Sequence, residues 1–123
     1  MEYRMQELFK KQAELMTRLG LKVRTNKELC LLTEKEADDL TQETVVLAFA
    51  LQDEIHEFIR ELNWKPWKQT KKEVNIELVQ KELIDAWHFL IELSLMWGLN
   101  SENVHDLYLQ KNQENHQRQD KGY

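Results

Sequence analysis

The sequence is poor in the residues that interrupt helices. Its 123 residues include three glycines and one proline, too few breaks for a fold of many short strands, so long helices are expected. The single cysteine, Cys30, excludes an internal disulfide, and its place in the apolar run ELCLLT predicts a buried thiol. No apolar run is long enough to span a bilayer, and no basic n-region with an apolar h-region opens the chain, so a cytoplasmic protein is expected. An excess of positive charge is also missing. The formal net charge of -5 argues against a general affinity for nucleic acid or an anionic membrane.

What is present fits one soluble domain covering residues 1–123, since 41% of residues are hydrophobic and 32% charged, a balance that argues against disorder. The charge is unevenly spread. Basic residues gather in WKPWKQTKK and again in the C-terminal segment, whereas Glu34 to Glu61 is mostly acidic. Such separation suits a small polyanion held through a metal.

Helical spacing picks out Met5, Leu8, Phe9, Gln12, Leu15, Met16 and Leu19 in a first helix that closes at Gly20, with Gln12 inside the apolar stripe. Thr33 and Glu36 form a possible capping box for a short helix. Thr41 is the expected N-cap of a second helix running to about Asn63, with Leu47, Leu51, Ile55, Phe58 and Leu62 on one face. Pro66 then breaks the chain, a third helix runs from about Asn75 to Trp97 and stops at Gly98, and Ser101 is the expected N-cap of a fourth. From Val104 the inward stripe of that helix turns from Leu107 and Tyr108 to Lys111, Asn112, Asn115 and Arg118. Either the segment is a solvated tail, or its last turns cover an anionic ligand. The fold class expected is all-α, a bundle of four to five helices.

The acidic residues carry the chemistry. Glu54 and Glu57 are three apart on the second helix and share a side, with Glu54 bordering the apolar face. On the third helix Leu78, Leu83, Ala86, Trp87, Phe89, Leu90, Leu93, Met96 and Trp97 cover most of the circumference. Glu82 falls among them, with Asp85 on the margin. An ionised carboxylate in that position is costly unless paired or metal-bound. Two helices separated by one loop therefore offer two pairs, Glu54 with Glu57 and Glu82 with Asp85, which antiparallel packing would bring together. If instead Glu57 and Asp85 are solvated, Glu54 or Glu82 pairs with a lysine. Four oxygen ligands without histidine or cysteine suit Mg²⁺ or Mn²⁺. A di-iron site is disfavoured because Asp53 and His56 lie opposite the apolar centre of their helix.

The remaining polar groups fit a nucleoside triphosphate. Lys65, Lys111, Arg118 and Lys121 would neutralise a polyphosphate, Gln12, Asn112 and Asn115 offer donors and acceptors for a base edge, Trp64 and Trp67 could stack on a base or sugar, and His88 stands at the polar edge.

The runs ALQDEIHEFIRELNWKPWK, ELIDAWHFLIEL and YLQKNQENHQRQDKGY resemble the all-α, MazG-like nucleotide pyrophosphohydrolases, and within them the dimeric dUTPases. The similarity covers the chain from Ala48 onward and, more weakly, LFKKQAEL in the first helix. It implies hydrolysis of dUTP to dUMP and pyrophosphate, with Mg²⁺ bound by Glu54, Glu57, Glu82 and Asp85 and with Glu54 helping to activate water. It further implies that Lys111, Asn115, Arg118 and Tyr123 hold phosphates and sugar, Gln12 the uracil and Lys65 the phosphate side, in a homodimer whose core is completed by dimerisation. Met16 departs from the family pattern, since an acidic or amide residue commonly stands four positions after the glutamine. A relative preferring dCTP or a broader set of deoxynucleotides, or a non-catalytic helical dimerisation protein, are the alternatives.

Overall fold

A computed structural model describes residues 2–122 as five helices, α1 Glu2–Arg18, α2 Asn26–Cys30, α3 Glu34–Arg60, α4 Ile76–Met96 and α5 Ser101–Asp120, with no strand among those residues. The expected all-α class holds. The chain forms two compact units: residues 30–93 make one, and residues 1–29 with 94–123 make the other.

In the unit of α1, α2 and α5, helix α1 packs on α5. Phe9, Gln12 and Met16 are its buried residues along α1, a narrower stripe than the spacing predicts, because Leu8, Leu15 and Leu19 are exposed. Gly20 ends α1 at φ 77°, and the Leu21 N–H donates to the Met16 carbonyl at 2.8 Å, the six-to-one bond of a Schellman turn. The end of α4 closes in the same way, with Leu99 N–H donating to Ser94 at 2.9 Å around Gly98 at φ 80°. Gly98 is required twice over. A Cβ there would adopt a left-handed backbone and would stand 2.5 Å from Asn26 Oδ1.

Two helix starts differ from expectation. The helix expected from Thr41 begins at Glu34, because Thr33 and Glu36 exchange both capping-box bonds, at 3.1 and 3.2 Å, and nothing after them interrupts the helical spacing. Thr41 sits inside α3, its hydroxyl donating to the Ala37 carbonyl at 2.9 Å. Helix α5 is capped by Asn100 rather than Ser101, since Asn103 returns the bond to the Asn100 N–H. Cys30 is exposed, not buried: it ends a five-residue helix with no buried residue, too short to present a covered face. The polar C-terminal stripe is helical through Asp120.

In the unit of residues 30–93, Leu40, Ala86, Ile91 and Glu92 are the buried residues. The connection after α3 is fastened by Asn63, whose side chain donates to the Lys72 carbonyl at 2.8 Å and accepts from the Lys72 N–H at 3.0 Å. That clamp ties residue 72 back to residue 63 across the connection.

Candidate functional site

The reversal at residues 63–72 places positions before the end of α3 beside positions after the start of α4. Oxygens of Glu54, Glu82 and Asp85 lie within 4.8 Å of one another. Glu54 and Glu82 are half-buried, and each has one carboxylate oxygen, Oε2, fully buried without a hydrogen-bond partner. None of the ion pairs among the described residues reaches these acids, so the lysine partner that would have made them structural is not there.

Burial raises the pKa of Glu54 above the ordinary carboxylate value, and the neighbouring Glu57, Asp85 and Glu82 raise it further. Glu82 is raised in the same way, first by burial, then by its contact with Glu57 and by the charges of Glu57, Asp85 and Glu61. Every cause acts in one direction. Five carboxylates, Glu54, Glu57, Glu61, Glu82 and Asp85, take part in this repulsion, and no basic group lowers the pKa of Glu54 or Glu82. A cation placed between them would relieve that repulsion, as would a bound proton. An all-oxygen donor set matches a hard divalent ion, so Glu54, Glu82 and Asp85, with Glu57 facing two of them, fit the metal expected from the sequence.

Other expected residues of the same unit lie around the α3–α4 connection or on α4. Trp64 meets Trp67 edge-on, with ring centroids 5.8 Å apart, and Lys65 Nζ stands 5.5 Å from the Trp64 ring. His88 is exposed, and its Nδ1 donates to the Ile84 carbonyl at 3.1 Å, which orients the ring along its own helix. Asp53 and His56 are both exposed, as the argument against a di-iron site requires.

In the other unit, the Gln12 amide is buried at 6% exposure, and Met16 one turn on is fully buried. Lys111, Asn112, Asn115, Arg118 and Lys121 are exposed on or just after α5, and Lys111 pairs with Glu114 at 3.8 Å. Tyr123 lies outside the described residues.

Sequence reasoning missed two acids. Glu61 adds to the repulsion on Glu82, and its spacing after Glu54 and Glu57 continues their helical stripe, which was the available signal. Glu92 is a buried carboxylate on α4, its pKa raised by burial and partly lowered by His88. Only its position four residues after His88 hinted at that pairing.

A family model described as dUTPase matches residues 4–97 and 91–123. The chain belongs to this dUTPase family. Membership bears out the resemblance read from the α3, α4 and C-terminal motifs. Two curated relatives within reach of the sequence are both called dCTP pyrophosphatase. That of Enterobacteria phage LZ5 is 37% identical over 71 residues, covering 49% of this chain and 41% of the relative. That of Enterobacteria phage T4 is 32% identical over 71 residues, covering 49% of this chain and 42% of the relative. The chain thus spans about two-fifths of the length of these relatives. No solved structure matches it.

Proposed function

We propose that this dUTPase-family protein is a metal-dependent pyrophosphohydrolase of a pyrimidine deoxynucleoside triphosphate, releasing pyrophosphate and the monophosphate, with dCTP ahead of dUTP. The observation that carries the reaction class is the meeting of Glu54, Glu82 and Asp85 with two buried, unpartnered carboxylate oxygens. Mg²⁺, or Mn²⁺ in its place, would be held by Glu54, Glu57, Glu82 and Asp85. Such an ion supplies Lewis-acid polarisation of the phosphates and a water of lowered pKa. Glu54 would take the proton of the attacking water, a role suited to a carboxylate whose pKa is raised by burial and by its acidic neighbours. The family resemblance, and not the arrangement of the two units, is what would assign Lys65, Lys111, Arg118 and Lys121 to the phosphate charge, Asn112, Asn115 and Tyr123 to the sugar and phosphates, Trp67 and His88 to the edge of the nucleotide, and Gln12 to the base.

The order of the two bases reverses the one the motifs alone favour. An amide such as Gln12 offers a donor and an acceptor and meets the edge of cytosine or uracil by rotating, so its neighbours make the choice. Met16, one turn on, brings no polar group, and the two relatives named above are dCTP pyrophosphatases. The family's description favours dUTP as the second reading. A panel of deoxynucleoside triphosphates with Mg²⁺, scored for pyrophosphate release, tests both. The expected result is the highest kcat/KM for dCTP. A higher value for dUTP selects the second reading, and no release from any nucleotide leaves a non-catalytic helical protein.

A homodimer belongs to the same proposal. Phe49, Trp87 and Leu90 are 64%, 47% and 49% exposed in the single chain, more apolar surface than a lone small domain usually leaves open. Light scattering at micromolar concentration should give twice the chain mass, and a monomer mass refutes the dimer.

A further inference from the structure

Among the described residues Glu92 is the most deeply buried acid, 5% exposed, and the proposed reaction gives it no task. None of the ion pairs among those residues reaches it. Burial raises its pKa and one neighbouring group, His88, lowers it, with no hydrogen bond contributing. A carboxylate so placed is costly in the protein alone, and a bound group that donates to it would offset the cost.

Its place on α4 says what such a group can be. Glu92 follows Asp85 by seven residues on one unbroken helix. Seven residues fall about 20° short of two full turns and rise about 10.5 Å, so Glu92 shares the side of α4 that carries Asp85. His88 lies between them, exposed and oriented by its Nδ1 bond to the Ile84 carbonyl at 3.1 Å. Lys65, which the family resemblance gives to the phosphates, belongs to the connection that leads into the N-terminal end of α4. A nucleotide held at the acids with its phosphates towards that connection would extend its base along α4 in the other direction, past His88 to Glu92. The rise from Asp85 to Glu92 is comparable with the reach of a deoxynucleotide from its α-phosphate to the far edge of its base.

The chemistry of the carboxylate then discriminates between the pyrimidines. Cytosine carries an exocyclic amino group, a donor, where uracil carries a carbonyl, an acceptor. An ionised carboxylate only accepts, so it pairs with the amino group and repels the carbonyl oxygen. An amide such as Gln12 serves either base by rotating, whereas a carboxylate does not. The donated hydrogen bond also favours the ionised form, against the burial that raises the pKa of Glu92. We infer that Glu92 is the base-selecting residue of this protein, accepting a hydrogen bond from the exocyclic amino group of cytosine and thereby disfavouring uracil. This rests on the proposed pyrophosphohydrolase reading and names the residue that makes its choice of base.

The test compares dCTP with dUTP in wild type and in Glu92→Gln, with Mg²⁺, by initial rates of pyrophosphate release. The substitution keeps the size of the side chain and adds a donor. The ratio of kcat/KM for dCTP to that for dUTP should therefore fall by about tenfold or more, through a loss for dCTP and a gain for dUTP. A structural Glu92 changes both nucleotides equally, and an unchanged ratio overturns the inference. Wild type alone supplies a second measurement that does not depend on how a variant folds. The deoxynucleoside triphosphate of pyrimidin-2-one, which is cytosine without its amino group, should fall below dCTP in kcat/KM by about tenfold or more. Equal turnover of the two overturns the assignment. If wild type prefers dUTP, the reaction class stands and the role of Glu92 falls. If no nucleotide is hydrolysed, the proposed function falls, and calorimetry with dCMP and dUMP decides on Glu92. Preferential binding of dCMP that is lost in Glu92→Gln sustains the role, and equal or absent binding overturns it.

Discussion

Two charged regions flank the last turns of α3, and they are built in opposite ways. The carboxylates of Glu54 and Glu82 hold buried oxygens with no partner, and every neighbour that shifts them is another acid. Of the lysines past Arg60, Lys71 and Lys72 have their ammonium groups tied to backbone carbonyls. Buried charge without a partner is unfavourable in the protein alone and becomes favourable when a counter-ion enters. Exposed charge anchored by hydrogen bonds costs little and waits in position. The first arrangement is relieved by a counter-ion or a proton, whereas the second is already stable without either.

The sharpest way to break that contrast is Glu82→Gln. It keeps the side chain's shape and removes the charge that holds a cation, so Mg²⁺-dependent pyrophosphate release should fall by a factor on the order of 10² or more. Activity close to wild type would mean that Glu82 is structural. Removing divalent ions should abolish the reaction and Mg²⁺ should restore it; full turnover in excess chelator sinks the metal site.

Asn63→Ala tests the loop side. It deletes both bonds that hold residue 72 against residue 63, and chemical denaturation should show a loss of about 1–2 kcal/mol. A change within about 0.3 kcal/mol would mean that the connection is held by other means.

Metal-free stability should also depend on pH with a definite sign. Glu54 and Glu82 have folded pKa values raised above the ordinary 4.5, so between that value and their raised ones the folded state binds more protons than the unfolded state. Stability therefore falls as pH rises through this window and levels off above it. In Glu82→Gln the decline should be shallower, and metal-free stability above the window should equal or exceed that of wild type. Thermal melts across pH check both, and a steeper decline in the variant, or a destabilised variant that remains active, contradicts the unpartnered cluster.

The smallest expected effect is at Lys72. Lys72→Ala removes a cation from the carbonyl end of α3, a loss of about 0.3–1 kcal/mol that salt should diminish. A salt-independent loss would point to packing instead of charge.

Most of the helices were legible in the sequence, because glycine, proline and capping residues act over four or five positions. Gly20, Gly98 and the Thr33–Glu36 pair did what local chemistry dictates. The start of α3 was misjudged because Thr41 has a cap's side chain, and whether a threonine caps or lies inside a helix depends on whether an earlier cap already holds the N-terminus. The asparagine pair at 100 and 103 won over Ser101 for a similar reason: both of its bonds close. Cys30 was misplaced because an apolar run predicts burial only when its helix is long enough to have a covered side.

The candidate site divides along the same line. Spacing alone put Glu54 with Glu57 and Glu82 with Asp85 on shared helix faces, and the apolar company of Glu82 marked it as a charge in need of a partner. Sequence could do this because the helical period converts separation along the chain into direction around an axis. The tertiary structure decided that three of the acids converge within 4.8 Å, that none finds a lysine, and that Glu61 joins the repulsion. It also decided that the basic run after Trp64 curls into one cavity, through the clamp of Asn63 on Lys72. Those outcomes depend on distances across a chain reversal, and a one-dimensional pattern specifies directions within a helix without fixing how closely two helices approach.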